Sequence, residues 1–470
     1  MLTSCGGGGG QSAAAPTPTP SVTPTPSPTP SSAACSFASR ASFISGTLQE
    51  WYLFPDLLRD LPATGYSDLN VYIDDLVAPA RARNFDRFFT YVTSIEEENA
   101  FFEGGSSAGF GFRLQYDTAA RRVFVLETFE DTPALGANID RGTELLGIGT
   151  TSNNIVSVSN LMASGGAFAV FEALGPSDPG TTRVFRIRDQ SGVERETSLS
   201  KTEYALDPVS DRYGAVIIDD GGKQVGYINL RTFIDPAIND LREAFASFRQ
   251  QGITELIVDF RYNGGGGLNV SDVLGNLMAA DLDGEIYYEL AFRESQARFN
   301  EIYRFDAQTQ SVAPTKIAFI GTESTASASE LVINGLQPYL GTNLALIGSN
   351  TFGKPVGQSG FDNAGCDDRL RAVTFKLENA DGLGEYFNGL AATVPQTCRA
   401  VDDISFPLGD PREAMVATAL DFLAGRSCNP ISQVTQGATA STSRMVGGER
   451  GMLGLKHPRT VAQREVPGLN

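Results

Sequence analysis

At 470 residues the chain is long enough for two or three domains, and an apolar content of 41% is enough to fill their cores. A formal net charge of −19 argues against nucleic acid and against anionic membrane surfaces as partners. No run of about 18 apolar residues occurs, so no helix is expected to span a bilayer.

The chain opens on Leu2-Thr3-Ser4-Cys5 followed by five glycines. That tetrapeptide resembles a bacterial lipobox, whose cysteine is lipidated after signal cleavage, although no charged and apolar signal regions precede it here. Residues 6–34 are mostly Gly, Ser, Ala, Pro and Thr with a Thr-Pro repeat. Such a stretch has almost nothing to bury, so residues 1–35 are expected to form an extended, semi-rigid tether. Lipid on Cys5 would then be the only contact with a bacterial membrane, at the periplasmic or cell surface. Residues 36–100 carry spaced apolar side chains among charges, such as Trp51, Leu53, Phe54, Leu57 and Leu58, which predicts a small N-terminal helical domain.

Residues 101–204 change character. The runs 122–126 and 183–187 are β-prone and read as strands of a β-rich domain. Between them, Asp131-Thr132-Pro133-Ala134-Leu135-Gly136 predicts a short helix with proline in its first turn. Residues 205–427 alternate between the two periods, which predicts an α/β domain with a largely buried sheet. Strands are expected at 225–230, 255–260, 316–320 and 344–347, with helices at 234–250, 327–339 and 410–423. Residues 428–470 lack apolar periodicity and are expected to be disordered.

Five cysteines are present, with no C-x-x-C pair, and the one histidine is His457. That set argues against a zinc site, and no metal or other cofactor is expected. Setting Cys5 aside leaves an even number. Cys366 and Cys398 share one stretch and are the favoured disulfide; Cys35 and Cys428 would then tie the first folded residues to the last.

A lone histidine in a segment without core pattern also argues against a Ser-His-Asp site. Ser327, in Thr325-Ala326-Ser327-Ala328-Ser329-Glu330, follows a predicted strand and opens a predicted helix. Backbone N–H groups and the helix dipole there favour a developing anion, although a serine in that place also serves as a plain cap. Lys354, in Thr351-Phe352-Gly353-Lys354-Pro355-Val356-Gly357-Gln358, has only uncharged neighbours in sequence. A lysine ordinarily titrates near about 10.4, so to take a proton from serine it needs desolvation and no adjacent carboxylate. Gln358 can orient it through a neutral hydrogen bond. The run of four glycines at 264–267 follows a buried strand and could turn an N–H toward a substrate oxygen.

Three motif matches carry less. Residues 348–354 read G-x-x-x-x-G-K, but Pro355 replaces the hydroxyl that would bind magnesium. Ser198-Leu199-Ser200-Lys201 lies in an alternating strand rather than opening a helix, and Gly105-Ser106-Ser107-Ala108-Gly109 has no preceding strand.

In order, Gly226-Tyr227-Ile228-Asn229-Leu230, Val258-Asp259-Phe260-Arg261-Tyr262-Asn263-Gly264-Gly265, residues 324–330 and residues 351–358 resemble the C-terminal processing peptidases, also called tail-specific proteases. The resemblance is strong over 215–360 and weaker over 101–204. It implies a crotonase-like α/β catalytic domain preceded by a PDZ domain, and a serine endopeptidase that needs no cofactor. By the same resemblance Ser327 is the nucleophile, Lys354 the general base and Gln358 the residue that orients it. The N–H groups of Ala328 and of a glycine near Gly265 would form the oxyanion hole. Gly109-Phe110-Gly111-Phe112 is similar to the loop with which a PDZ domain grips a free C-terminus, so polypeptides with free C-termini are the expected partners. Two departures leave alternatives open. Gly264 stands where the family has proline, so the oxyanion glycine is Gly265 or Gly266. The link from Ser327 to Lys354 is also longer around 337–343, which keeps Ser329 as the alternative nucleophile. An inactive peptide-binding scaffold and a Ser-Lys amidase or esterase for small substrates are the rival readings.

Overall fold

Short apolar runs between residues 215 and 399 form a six-stranded sheet in the computed structural model of the protein, which describes residues 34–431, 450–452 and 458–470. Its order is Ala215–Asp220, Lys223–Asn229, Glu255–Asp259, Lys316–Gly321, Leu344–Gly348 and Gln396–Arg399. The first pair is antiparallel and every later pair is parallel. Successive side chains of a strand point to opposite faces, and both faces here are covered. Ile228, Leu256, Val258, Phe319 and Leu346 pack with the helices Ala237–Gln250, Leu268–Leu277 and Ala328–Leu340. Their neighbours Tyr227, Ile257, Ala318, Ile320 and Ile347 pack against the helix Ala414–Leu423. A parallel sheet of this kind gathers the loops after its strands at one edge, where ligands usually bind. The glycine run, Ser327 and Lys354 each follow one of those strands.

A second, five-stranded antiparallel sheet stands beside it. Asp368–Glu378 pairs with Tyr91–Ser94, Ile286–Phe292 and Val356–Asn363, and Glu301–Arg304 lies at the far edge. The helices Phe37–Trp51 and Leu69–Leu76 pack on this sheet, sharing one core with Val356, Leu370, Ala372 and Val373. The segment 36–100, expected as a small helical domain, therefore contributes a strand as well, because Tyr91–Ser94 finds an open sheet edge beside it.

The β-rich unit joins Phe112–Asp117, Arg122–Thr128, Glu144–Gly149, Thr182–Arg188 and Glu194–Ser200, covered by the helix Val158–Ala173. It meets the central sheet through buried arginines. Arg113 Nη1 donates to the Tyr262 carbonyl at 2.7 Å. Arg231 pairs with Glu127 and Glu130, and Arg141 pairs with Asp402 at 2.5 Å. Arg261, with no exposed surface, binds Asp259, Asp402 and Glu413.

Two expectations are corrected. The disulfides are Cys35–Cys366 and Cys398–Cys428, not Cys366–Cys398 and Cys35–Cys428. The helix Phe37–Trp51 lies on the strands flanking Cys366, which brings Cys35 to the turn at 364–366. Cys398 lies on the sheet face that Ala414–Leu423 covers, and the chain leaving that helix returns Cys428 to it. The stretch after 428 is not all disordered: residues 428–431, 450–452 and 458–470 have defined places, and Val461, Ala462, Val466 and Leu469 are buried among Phe101, Phe129, Tyr204 and Ile234. Four apolar side chains over nine residues are too few to register as a period, yet enough to dock on an existing apolar face. Cys5, the tether up to residue 33 and His457 lie outside the described residues.

Replacing Arg261 by Met leaves Asp259 and Glu413 buried without their counter-charge. Unfolding in denaturant should show Arg261→Met less stable by ~3–5 kcal/mol.

Candidate active site

The loop that presents Ser327 is stapled to the neighbouring strand end. Thr325 Oγ1 donates to the Phe260 carbonyl at 2.7 Å, and the Ala326 N–H donates to the Asn263 carbonyl at 3.1 Å. Ser327 sits at φ +57°, ψ −117°, a backbone conformation that costs a residue with a Cβ about 1–3 kcal/mol and persists only when its surroundings enforce it. The helix Ala328–Leu340 begins immediately after, so the Ala328 N–H is one of the first-turn donors without an intrahelical partner. Ser329, the alternative, is fully buried and donates its hydroxyl to the Asn263 carbonyl at 3.2 Å.

The glycine run abuts Ser327. A Cβ on Gly265, at φ +111°, would lie 2.7 Å from the Ser327 Cβ, so only glycine fits. The Gly265 N–H donates to Asn263 Oδ1 at 2.8 Å and is thus engaged within the loop. Gly266, at φ +139°, leaves room for the Phe233 carbonyl, which a Cβ there would meet at 2.3 Å.

Lys354 is half-buried on the loop before Val356–Asn363. Its Nζ donates to Gln358 Oε1 at 2.6 Å and lies 4.8 Å from the centre of the Phe89 ring. Gln358 is fixed in turn by donating its Nε2 to the Phe89 carbonyl at 2.5 Å. Arg87 Nη2 donates to the carbonyls of Phe352 and Gly353, bracing the loop from the N-terminal part. Burial pulls the Lys354 ammonium below the ordinary lysine value; Glu465 and Asp86 oppose this, Arg371 adds to it, and Glu330 opposes it again. The sequence neighbourhood of Lys354 is uncharged as expected, but the spatial neighbourhood holds three carboxyl groups, and desolvation outweighs them.

Glu330 joins the two loops. Glu330 is fully buried on the first turn of the helix. Its Oε1 accepts from Thr351 Oγ1 at 2.6 Å and from the Gly353 N–H at 2.7 Å. Its Oε2 accepts from the Lys354 N–H at 2.7 Å and from the Ser327 N–H at 3.0 Å. Burial raises its carboxyl above the ordinary range, and these donors pull it back only in part. The available signal was the S-x-x-E spacing of Ser327 and Glu330, which is a capping-box pattern. The residues Asn263, Arg87, Asp86 and Glu465 carried no comparable signal.

Residues 109–112 lead into the strand Phe112–Asp117 of the β-rich unit. Phe110 and Phe112 are buried with ring centroids 5.7 Å apart. Gly111 takes φ +86°, and the N–H groups of Gly111 and Phe112 both donate to the Asn470 carbonyl, at 3.2 and 3.3 Å.

Residues 224–391, which contain the glycine run, Ser327, Glu330, Lys354 and Gln358, match the family model of peptidase family S41. Over these residues the chain is similar to peptidase family S41. It is similar to the carboxyl-terminal-processing protease of Synechocystis sp., with 24% identity over 387 residues, 80% of this chain and 82% of that relative. It is also similar to the chloroplastic C-terminal processing peptidase of Tetradesmus obliquus, with 28% identity over 272 residues; there the match spans 55% of this chain and about half, 53%, of the relative. A solved structure from Bacteroides fragilis, named for an S41 protease, shares the fold, with a TM-score of 0.62 at 22% identity over 82% of this chain and 97% of that one. The protein is a serine-type peptidase, similar to the C-terminal processing proteases.

Glutamine in place of Glu330 has one acceptor oxygen where four donors converge, and its amide would face N–H groups. Steady-state kinetics of Glu330→Gln should show kcat lowered about 10- to 100-fold, with KM nearly unchanged.

Proposed function

We propose that the protein is an extracytoplasmic endopeptidase that uses a Ser327–Lys354 dyad, within a crotonase-like catalytic domain, and selects polypeptides by their C-termini through a PDZ domain at 101–204. The observation that carries the reading is that Glu330 Oε2 accepts the N–H groups of both Ser327, strained at a helix start, and Lys354, a desolvated lysine held by Gln358.

In this reading Ser327 Oγ attacks the scissile carbonyl while Lys354 Nζ takes its proton. The same nitrogen returns the proton to the leaving amine, and in the second half-reaction it activates water against the acyl ester. The oxyanion is received by the Ala328 N–H at the positive end of the helix and by one N–H of the run 264–267. Among the described residues Lys354 Nζ bonds to Gln358 and not to Ser327, an arrangement that tightens in many enzymes only when substrate is bound. Gln358 is suited to holding the base because a neutral amide steadies the amine without adding a negative charge. Residues 109–112 offer backbone donors over an apolar floor, which suits a main-chain carboxylate better than any one side chain. Two disulfides favour an oxidising compartment, the periplasm or cell surface. Lipid on Cys5 would account for its retention there.

Cleavage of an unfolded protein such as casein tests the nucleophile. Ser327→Ala should retain the wild-type melting temperature and lose at least about 10³-fold in kcat. Full activity in that variant would overturn the dyad.

The pH profile tests the base. Protonated Lys354 cannot accept the serine proton, and burial lowers its pKa, so kcat/KM should climb as pH rises through a midpoint below the ordinary value of about 10.4 and then level off. Full activity at pH 5 contradicts a lysine base.

A further inference from the structure

The edge of the strand Phe112–Asp117 that residues 109–112 introduce is not empty. The chain's own last described segment lies along it. The Leu114 N–H donates to the Gly468 carbonyl at 3.1 Å, and the Asn470 N–H donates to the Phe112 carbonyl at 3.0 Å. Arg113 faces Leu469 as an antiparallel bridge, and the Asn470 carbonyl takes the Gly111 and Phe112 N–H groups. Arg450 and Gly451 continue the same antiparallel pairing opposite Asp117 and Tyr116. This is strand addition, the way an extended peptide docks on an open sheet edge. A Cβ on Gly109 would meet the Asn470 carbonyl carbon at 2.9 Å, so the glycine loop is closed down on its occupant.

The segment also reaches the catalytic edge. The helix Val461–Glu465, capped by Thr460, carries Val461 and Ala462 into the cluster with Phe101, Tyr204 and Ile234. Beyond it the chain crosses the glycine run: a Cβ on Gly264 would lie 3.0 Å from the Glu465 carbonyl oxygen and 3.3 Å from Pro467 Cδ. Tyr91 donates its hydroxyl to Glu465 Oε1 at 3.4 Å, and the Arg464 guanidinium lies 3.5 Å from the centre of the Tyr91 ring. Glu465 is also the acid that most favours the protonated, inactive form of Lys354.

We propose that residues 458–470 are an internal competitor, which fills the peptide-gripping edge and roofs the glycine run until a substrate tail displaces it. The proposal rests on the reading of residues 109–112 as a peptide-gripping loop. A substrate C-terminus needs the donors of Gly111, Phe112 and Leu114 that Asn470 and Gly468 now hold, so the two cannot be bound together. Release of the segment frees the edge and removes the backbone of Glu465 and Pro467 from above Gly264. Val466 and Leu469 anchor the segment through side chains, and Asn470 anchors it through its N–H.

The test uses the full chain carrying Ser327→Ala, so that nothing is cleaved, and a fluorescein-labelled peptide with the sequence of residues 461–470 as probe. The double variant Val466→Asp, Leu469→Asp should bind the probe at least tenfold more tightly than the chain with its native tail. Asn470→Pro removes the ladder donor to Phe112 together with the side-chain bond from Asn470 Nδ2 to the Gly468 carbonyl, and leaves Val466 and Leu469 in place; it should bind the probe a few-fold more tightly and decides the matter if the double variant does not fold. In the active enzyme the same tail variants should lower KM for casein and leave kcat unchanged. Equal probe affinity in all three chains would overturn the internal competitor while leaving the peptide-gripping loop intact. No binding to any of them would overturn both. Neither result bears on the Ser327–Lys354 chemistry, which the Ser327→Ala comparison reads separately.

Discussion

Glu330 is the constraint on which the arrangement of the site depends. The helix after Ser327 and the loop before Lys354 leave different strands of the central sheet, and few main-chain bonds join them directly; the Phe352 N–H to the Thr325 carbonyl, at 2.9 Å, is one. The Glu330 carboxylate closes the gap by accepting backbone N–H groups from both sides on a single oxygen. Burying a carboxyl group costs several kcal/mol unless donors surround it, and four donors do so here. The same bonds explain how Ser327 can be held at a positive φ. Its N–H is fixed by Glu330, its neighbour Ala326 is fixed by Asn263, and the helix begins at the next residue.

The buried arginines play the corresponding part between the β-rich unit and the central sheet. Arg113 lies on the strand whose edge is occupied by the terminal segment, and its guanidinium holds the carbonyl of Tyr262, one residue before Asn263 and the glycine run. Asp402 is shared by Arg141 from one unit and Arg261 from the other. Burial would raise the Asp402 carboxyl, but the two guanidiniums drive it down to about 2, so it stays ionised. Separating the units would strand several of these charges in apolar surroundings, and a buried charge without its partner is far more costly than an exposed one. The strand Phe112–Asp117 and the glycine run are therefore tied to one another through buried ion pairs and hydrogen bonds.

Four strands of the central sheet and the helices after 234, 327 and 410 were legible in the sequence because they rest on apolar periodicity, which is local; the strands Ala215–Asp220 and Gln396–Arg399 and the helix Leu268–Leu277 were not. The strands expected at 255–260 and 316–320 appear as Glu255–Asp259 and Lys316–Gly321, and Ser327 stands at its helix start. What the sequence did not disclose depends on distant partners. The disulfides follow spatial neighbours rather than nearness in the chain. Lys354 reads as free of acids in sequence, yet Glu465, Asp86 and Glu330 come to it from three other segments. The final helix declares itself only by Thr460 and Gln463, a capping pattern too short to be distinguished from loop, and it holds because an apolar face built by Phe101, Phe129 and Tyr204 already exists for it. The Gly265 N–H, expected to face substrate, is taken by Asn263, a side chain two residues before it whose orientation only the folded loop defines.

The position of Cys35 has a mechanical consequence. It precedes the first helix and is bonded to Cys366, in the turn between Val356–Asn363 and Asp368–Glu378. Tension applied through residues upstream of Cys35 therefore divides at the sulfur bridge and enters the second sheet directly, without first unwinding Phe37–Trp51. Along that sheet the load is shared by the ladder that includes Gln358 opposite Val373. Strands pulled along their length resist by shearing many hydrogen bonds at once, whereas a helix pulled from its end yields turn by turn. The bridge thus insulates the N-terminal helices from any force arriving through the preceding chain.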